Sequence, residues 1–235
     1  MVIQMLKINK TVLIGGTLII ILVIVIVFSA WTILLGGFIR LEQENTRRNI
    51  ERMQEVYNSA AENLTIKAFD WSRWDDTYHF IQNGNQEYID SNLNLLVFAD
   101  LKLNLMMFIN RKGQYVFAKA FDLTTNKEIP VPEGLKKHFM PDSVLLRHEK
   151  ADIMTGFINY GKNTVLVTAQ PILKNDGMGP AAGTLVFGRF IDQELIDNFG
   201  KLANLPIRFR QYSQIPPREL AQLKLDKKKI RRFSP

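Results

Sequence analysis

From Thr11 to Ile39 the chain carries no ionisable side chain in 29 positions. As a helix this run measures about 43 Å against roughly 30 Å of bilayer hydrocarbon, long enough to cross once with some tilt. A cleavable signal peptide has an apolar stretch of only about 7 to 15 residues followed by a small-residue cleavage site, so this longer run reads as a retained anchor. The pattern then changes. Ile50, Met53, Tyr57, Ala60, Leu64, Ala68, Trp71, Trp74 and Tyr78 recur at steps of three or four, the spacing of one long amphipathic helix. It is predicted to run unbroken until Asn83, Gly84 and Asn85 stop it, roughly 60 Å if straight. Two occupants suit its apolar stripe: the helix's own domain, or a second copy in a homodimeric coiled coil.

After that stop, Glu87 to Leu96 reads as a short helix or turn region, and the periodicity becomes that of strands. Leu103 to Ile109, Tyr115 to Ala120, Val165 to Leu173 and Thr184 to Phe190 are apolar or β-branched runs, with Ile153 to Asn159 as a fifth. Arg111-Lys112-Gly113 and Lys174 to Pro180 have the composition of hairpin turns. Thr124 to His148, with Pro130, Pro132 and Pro141, reads as an irregular crossover. Asp192 is placed to cap a helix through Leu202, and Ile207 to Tyr212 has the pattern of a further strand. A helix followed by hairpin-linked strands predicts an α+β fold with an antiparallel sheet. The predicted segments are a cytoplasmic N-terminus at 1–11, a transmembrane helix at 12–39, a long signalling helix at 40–82, the rest of a globular domain at 83–212, and a basic tail at 213–235.

The formal charge of +7 changes little once it is located. Positions 1–40 hold +3 and positions 224–232 hold a net +5, which leaves −1 for everything between. A nucleic-acid binder carries its basic stripe on the folded domain, so that class is excluded. The basic tail suits solvent or an anionic lipid surface. Lys7 and Lys10 precede the apolar run with no acid among the first eleven residues, whereas Arg40, Glu42, Glu44, Arg47 and Arg48 after it are mixed in sign. The positive-inside rule therefore puts the N-terminus in the cytoplasm and the domain outside the inner or plasma membrane. With no cysteine, disulfides, thiolate metal sites and cysteine nucleophiles are all excluded.

The densest chemistry is DWSRWDDTYHF, Asp70 to Phe80. On a continuous helix Trp71, Trp74, Asp75 and Tyr78 stand at i, i+3, i+4 and i+7 and share one face. Asp76 points elsewhere, because adjacent residues diverge by about 100°, and this removes an acid–base pair with Asp75. A carboxylate on an apolar stripe needs a donor or a cation. Lys119, Arg189, Asn92 and Asn104 are the candidates on the sheet side. Either Asp75 pairs permanently with one of these or with backbone amides and locks helix to sheet, or Trp71, Trp74 and Tyr78 form an aromatic wall and Asp75 receives a ligand amine or hydroxyl. Asp76, Phe80 and Asp122 are read as structural residues of the helix–sheet junction. No catalytic residue, metal or cofactor is predicted. His79, His138 and His148 are scattered, the His148-Glu149 pair lacks the second histidine of a zinc-protease helix, and neither G-x-S-x-G nor a phosphate-binding glycine loop occurs.

Beyond DWSRWDDTYHF, the chain contains YIDSNL at Tyr88 to Leu93, LNL at Leu103 to Leu105, GQYVFAKAFDL at Gly113 to Leu123, IPVP at Ile129 to Pro132, QPIL at Gln170 to Leu173 and GPAAGTLVFGRFID at Gly179 to Asp192. In this order, over about Ile50 to Ile207, the series resembles the fourth class of CHASE domain, extracytoplasmic sensory domains associated with cyclases and histidine kinases. The resemblance implies a PAS-like or Cache-like sensor domain between two membrane spans, feeding a cytoplasmic diguanylate cyclase, phosphodiesterase or histidine kinase. Against that pattern the chain departs at its C-terminus, where the end of the sensor domain, a second span and an output domain are expected, so it reads as an N-terminal fragment or a truncated reading frame.

The function expected is a bacterial or archaeal signal-sensing module that binds a small molecule or an ion between the long helix and the sheet, with a homodimer through that helix. The rival from another class is a membrane-anchored envelope scaffold whose partner is another protein.

Overall fold

The computed structural model describes residues 10–141, 143–146 and 153–221. Lys7, the His148-Glu149 pair and the basic stretch 224–232 lie outside the described residues. The chain divides into two compact units, residues 1–52 and 53–235. The described part of the first is the beginning of helix α1, Lys10–Ser72. Its apolar side chains are exposed, Leu18 at 61% and Phe28 at 64%, as expected for a surface that lipid covers. This helix is long and apolar enough to cross a membrane.

In the second unit the end of α1 and three short helices lie on one face of a six-stranded sheet. They are α2 (Asp75–Asn83), α3 (Gln86–Asn92) and α4 (Leu95–Leu101). The strands are β1 (Leu105–Asn110), β2 (Tyr115–Asp122), β3 (Lys127–Ile129), β4 (Met154–Tyr160), β5 (Asn163–Ile172) and β6 (Gly183–Phe190). The sheet order is β3-β2-β1-β6-β5-β4, every pair antiparallel, so the α+β class and the PAS-like antiparallel sheet are as expected. Both anticipated hairpins form, β1–β2 over Arg111–Gly113 and β5–β6 over Lys174–Pro180.

Caps explain the short helices. Gly84 takes the left-handed conformation (φ 62°) and donates to the Phe80 carbonyl, which ends α2. Asn85 then caps α3 by accepting from the Tyr88 amide, and Asn94 caps α4 by accepting from the Leu96 and Val97 amides. Asp192 does the same for α6 (Gln193–Ala203), as its position predicted.

Alternation along the strands gives two cores. Met106, Phe108, Phe117, Phe121, Leu166, Leu185 and Phe187 face the helices and pack with Leu64, Ala68, Phe80, Tyr88 and Phe98. Leu105, Met107, Ile109, Val165, Val167 and Val186 face the other way, against Val131, Leu135, Phe139 and Leu146 of the crossover. That crossover is more ordered than expected: it contains β3, the single-turn helix α5 (Glu133–Lys136) and two 3-10 turns.

Two expectations are corrected. The long helix does not reach Asn83; it breaks after Ser72, and Trp74 is extended (φ −122°, ψ 129°). Residues 207–212 form no strand; the segment is irregular and ends in a 3-10 turn at Tyr212–Gln214. The apolar stripe from Met53 onward is occupied within its own unit, Met53, Val56 and Ala60 against Phe199 and Ala203 of α6, and Leu64 and Ala68 against the sheet.

Candidate functional site

No glycine or proline marks the break in α1; the β5–β6 hairpin makes it. The Ser72 carbonyl accepts from the Leu173 amide (2.9 Å), and the Asp75 amide, which would continue the helical ladder, donates to the Asn175 side chain (3.2 Å). In return Asp75 Oδ1 accepts from the Asn175 amide (2.9 Å). Of the partners expected for this carboxylate, it meets a backbone amide, that of Asn175 in the hairpin, and not Lys119, Arg189, Asn92 or Asn104. Asp75 and Asp76 fall in the first turn of α2, where the helix dipole favours negative charge.

The aromatics around this break are packed against one another. Trp71 stands edge-on to Trp74 (6.3 Å) and Phe187 (6.1 Å), and Trp74 tilts onto Tyr88 (5.9 Å). Tyr88 stacks on Phe80 at 4.4 Å and shares a 2.6 Å hydrogen bond with Thr77 in the core. Burial pushes the Tyr88 phenol up to about 12, against the opposing pull of the Thr77 bond. Toward the surface, Tyr78 donates to the Pro180 carbonyl (3.4 Å), and Lys174 Nζ lies 5.6 Å from its ring. The Arg73 guanidinium lies over the Phe69 ring and against Gly177, where a Cβ would come within 2.9 Å of it. Trp71, Trp74, Asp75 and Tyr78 are thus brought together, but around a kink clasped by a hairpin rather than on one helical face.

The other expected residues disperse. Lys119 pairs with Glu128 of β3 (2.9 Å). Asn92 is half-buried at the end of α3. Asn104 is buried with both its side-chain polar atoms engaged: its Nδ2 donates to the Phe121 carbonyl, while its Oδ1 accepts from Arg189 Nη1 (2.6 Å) and the Phe190 amide (2.9 Å). Arg189 also reaches Asp192 (3.1 Å). Phe80 lies wholly inside the helix-side core. Asp76 is exposed and ties nothing to the sheet. Asp122 does not serve the helix–sheet junction either, because its carboxylate accepts from Thr125 and Thr124 in its own turn, which holds its pKa below the ordinary value.

Sequence reasoning missed several residues that hold α1 to the sheet. Gln170 donates to the Thr65 carbonyl (2.6 Å) and accepts from Ser72 Oγ (3.4 Å), and Thr65, Thr155 and Thr168 form a hydroxyl chain with 2.9 Å steps. Lys67 Nζ donates to the Leu101 carbonyl at the end of α4 (2.9 Å). The available signal was periodicity: Thr168 and Gln170 fall at inward positions of β5, where a polar side chain needs a partner. Among the described residues no group of three or more His, Asp or Glu could hold a metal ion.

A family model, a curated relative and several solved structures match this chain. The sequence model of the CHASE4 domain matches residues 57–210. The methanogenesis regulatory histidine kinase FilI of Methanothrix harundinacea is 25% identical over 194 residues, which cover 83% of this chain and 22% of FilI. The chain thus spans about a fifth of that relative's length. Among solved structures, the sensor domain of the Vibrio cholerae histidine kinase DctB matches with a TM-score of 0.45 at 12% identity, over 68% of this chain and 59% of that one. The Escherichia coli DcuS sensor domain matches with a TM-score of 0.41 at 10% identity, over 64% and 98%.

Proposed function

This chain belongs to the CHASE4 domain family of sensor domains, and we propose from that premise that it is the input half of a transmembrane receptor whose output is a cytoplasmic histidine kinase. The observation that carries the reading is the family match over residues 57–210, which takes in the end of α1 and the whole sheet. The identity of the output follows the relative, which is a histidine kinase.

The architecture supports a mechanical role for α1. One continuous helix holds both the apolar run and the segment anchored to the sheet by Gln170 and Ser72 and to the end of α4 by Lys67. A ligand that favours one arrangement of the sheet domain over another would shift α1 only by the difference in its affinity for the two. We assign the Asp70 to Phe80 segment as the joint in that transmission, since its Ser72, Asp75 and Tyr78 are engaged with the β5–β6 hairpin. We further propose that the N-terminus lies in the cytoplasm and the domain outside, a reading supported by the positive-inside bias of the sequence.

A chimera tests the reading. In it, this chain replaces the matched segment of FilI and autophosphorylation is measured in membranes. Dependence on the external medium is expected; constant autophosphorylation in every medium overturns the proposal. Orientation is checked separately by phosphatase fusion after Gln214, which is expected to be active, with inactivity reversing the topology.

A further inference from the structure

The segment that follows α6 keeps its place without a strand ladder. Residues 207–212 are irregular, yet Ile207, Phe209 and Gln211, two positions apart, all turn toward the domain, which is the period of a strand without its hydrogen bonds. Ile207 packs against the small cluster of Val56, Phe199 and Ala203. Gln211 is buried, and its Nε2 donates to the Asn163 carbonyl (2.6 Å) and to Thr164 Oγ1 (3.2 Å) at the start of β5. Between these two anchors the ring of Phe209 lies 5.9 Å from that of Phe157 on the edge strand β4, and Phe157 lies 5.1 Å from Tyr57 of α1. We propose that this segment is a latch on α1, with the ring of Phe157 joining the helix that enters the domain to the chain that leaves it.

Both ends of the domain meet at this ring. The family match runs from residue 57 to residue 210, so Tyr57 opens it and Phe209 all but closes it. Among the described residues the rings of Tyr57 and Phe209 make no contact with each other; each touches Phe157. The two separations lie within the range over which ring pairs interact, so a shift of Tyr57 changes the packing of Phe157 and with it the seat of Phe209. With no ladder to hold it, the latch rests on a few side-chain contacts and opens at lower cost than the sheet, as an element that moves must.

The plain alternative is that the rings cover a free sheet edge. Edges are ordinarily blunted by charge, proline or a bulge, and a cover hides what it protects. Phe157 stays 44% and Phe209 40% exposed, so the pair is poor protection for the edge and poor core. A cover also needs neither the contact with Tyr57 nor a buried glutamine that fixes the register of Phe209 from two positions away. The latch accounts for both. It gives the receptor reading a route from α1 to the outgoing chain and rests on that reading for its part in signalling, whereas the contact path itself is tested on this chain alone.

Arg208 is exposed between two of the anchored residues and is a tryptic site that a closed latch protects. The experiment is limited trypsin digestion of the full chain in zwitterionic detergent, with cleavage after Arg208 followed by mass spectrometry. Cleavage after Arg189, within β6, reports global unfolding. Tyr57→Leu alters no residue of the latch, and it is expected to speed cleavage after Arg208 about fivefold, the weight of one ring contact, without speeding cleavage after Arg189. Phe157→Leu is expected to do the same. The double variant should cleave no faster than Phe157→Leu alone, since Tyr57 then has no ring through which to act. Tyr57→Phe keeps the ring and is expected to match the parent chain. Unchanged cleavage after Arg208 in Tyr57→Leu, an equal acceleration after Arg189, or fold-changes that multiply in the double variant would each overturn the latch. None of these outcomes touches the receptor reading, which the chimera decides.

Discussion

The two faces of the sheet are built differently. The crossover face is mainly aliphatic, Leu, Ile and Val from the strands against Val131, Leu135 and Leu146, with Phe139 among them. The helix face is aromatic, with Phe80, Tyr88, Phe98, Phe108, Phe117, Phe121 and Phe187, and it is crossed by buried polar ties from Gln170, Thr168, Ser72, Thr77 and Asn104. Aliphatic packing is non-directional and tolerates repacking, whereas ring geometry and hydrogen bonds select one arrangement. The face that carries α1 is thus the one with a specified register. A helix that transmits a displacement needs such a register, while a plain lid does not.

The sharpest way to break this contrast is to remove one large side chain from each face. Phe187→Ala opens the helix-side core beneath Trp71 and is expected to cost about 3–5 kcal/mol, whereas Leu135→Ala under the crossover is expected at the lower end of about 2–5 kcal/mol. Denaturant unfolding with both midpoint and slope compares them. Equal losses would mean that the two faces are energetically alike.

The next largest effect is expected from pH. Tyr88 keeps its proton to about 12 in the folded chain, while the unfolded phenol releases it near the ordinary value of 10.0. Between those values the native state binds more protons, so stability falls as pH rises, by on the order of 2–3 kcal/mol. Below pH 10 the contribution is fully present. Tyr88→Phe should flatten that alkaline limb in unfolding curves, and an unchanged limb would place the titration elsewhere. On the crossover face Tyr115 and Tyr160 are also raised by burial, so the residual slope in Tyr88→Phe measures their share.

How far the sequence foretold these faces depends on range of interaction. Five of the six strands, both hairpins and the Asp192 cap follow from alternation and turn residues, which are local signals. The three-residue β3 was lost inside a proline-containing crossover because so short a strand has no period to read. The break at Trp74 was illegible for a different reason: every residue from Phe69 to Phe80 is compatible with helix, and the competing acceptor and donor come from Leu173 and Asn175, about a hundred positions away. The same applies to Asp75. Its need for a donor was plain from its setting, but its partner is a hairpin amide that composition does not mark.

A smaller loss is expected at Gln170. Gln170→Leu keeps the volume but removes the bonds to the Thr65 carbonyl and Ser72 Oγ, the latter keeping its bond to the Phe69 carbonyl, at about 1–3 kcal/mol for the pair. If the polar ties specify register, the variant should also loosen α1 beyond that loss, seen as faster amide exchange from Leu64 to Ser72 than in a variant of equal stability on the crossover face. Equal exchange would reduce Gln170 to one hydrogen-bonding residue among many.

The smallest effect is expected at Asp75, the residue that first suggested a ligand. Asp75→Asn retains a side-chain oxygen able to accept from the Asn175 amide, and the backbone bond to Asn175 is unaffected. At this half-exposed position the change should stay within about 0.5 kcal/mol. Asp75→Ala, which removes the acceptor altogether, should cost about 0.5–1.5 kcal/mol by freeing the hairpin amide to water. A polar contact of similar exposure on the other face, Ser143 Oγ to the His138 carbonyl, supplies the control through Ser143→Ala. If Asp75→Asn is silent in stability yet changes autophosphorylation of the FilI chimera while Ser143→Ala does not, the clasp at the kink carries signal and not merely fold. If both are silent in both assays, the hairpin holds α1 in place and the route of transmission lies with Gln170 and Lys67.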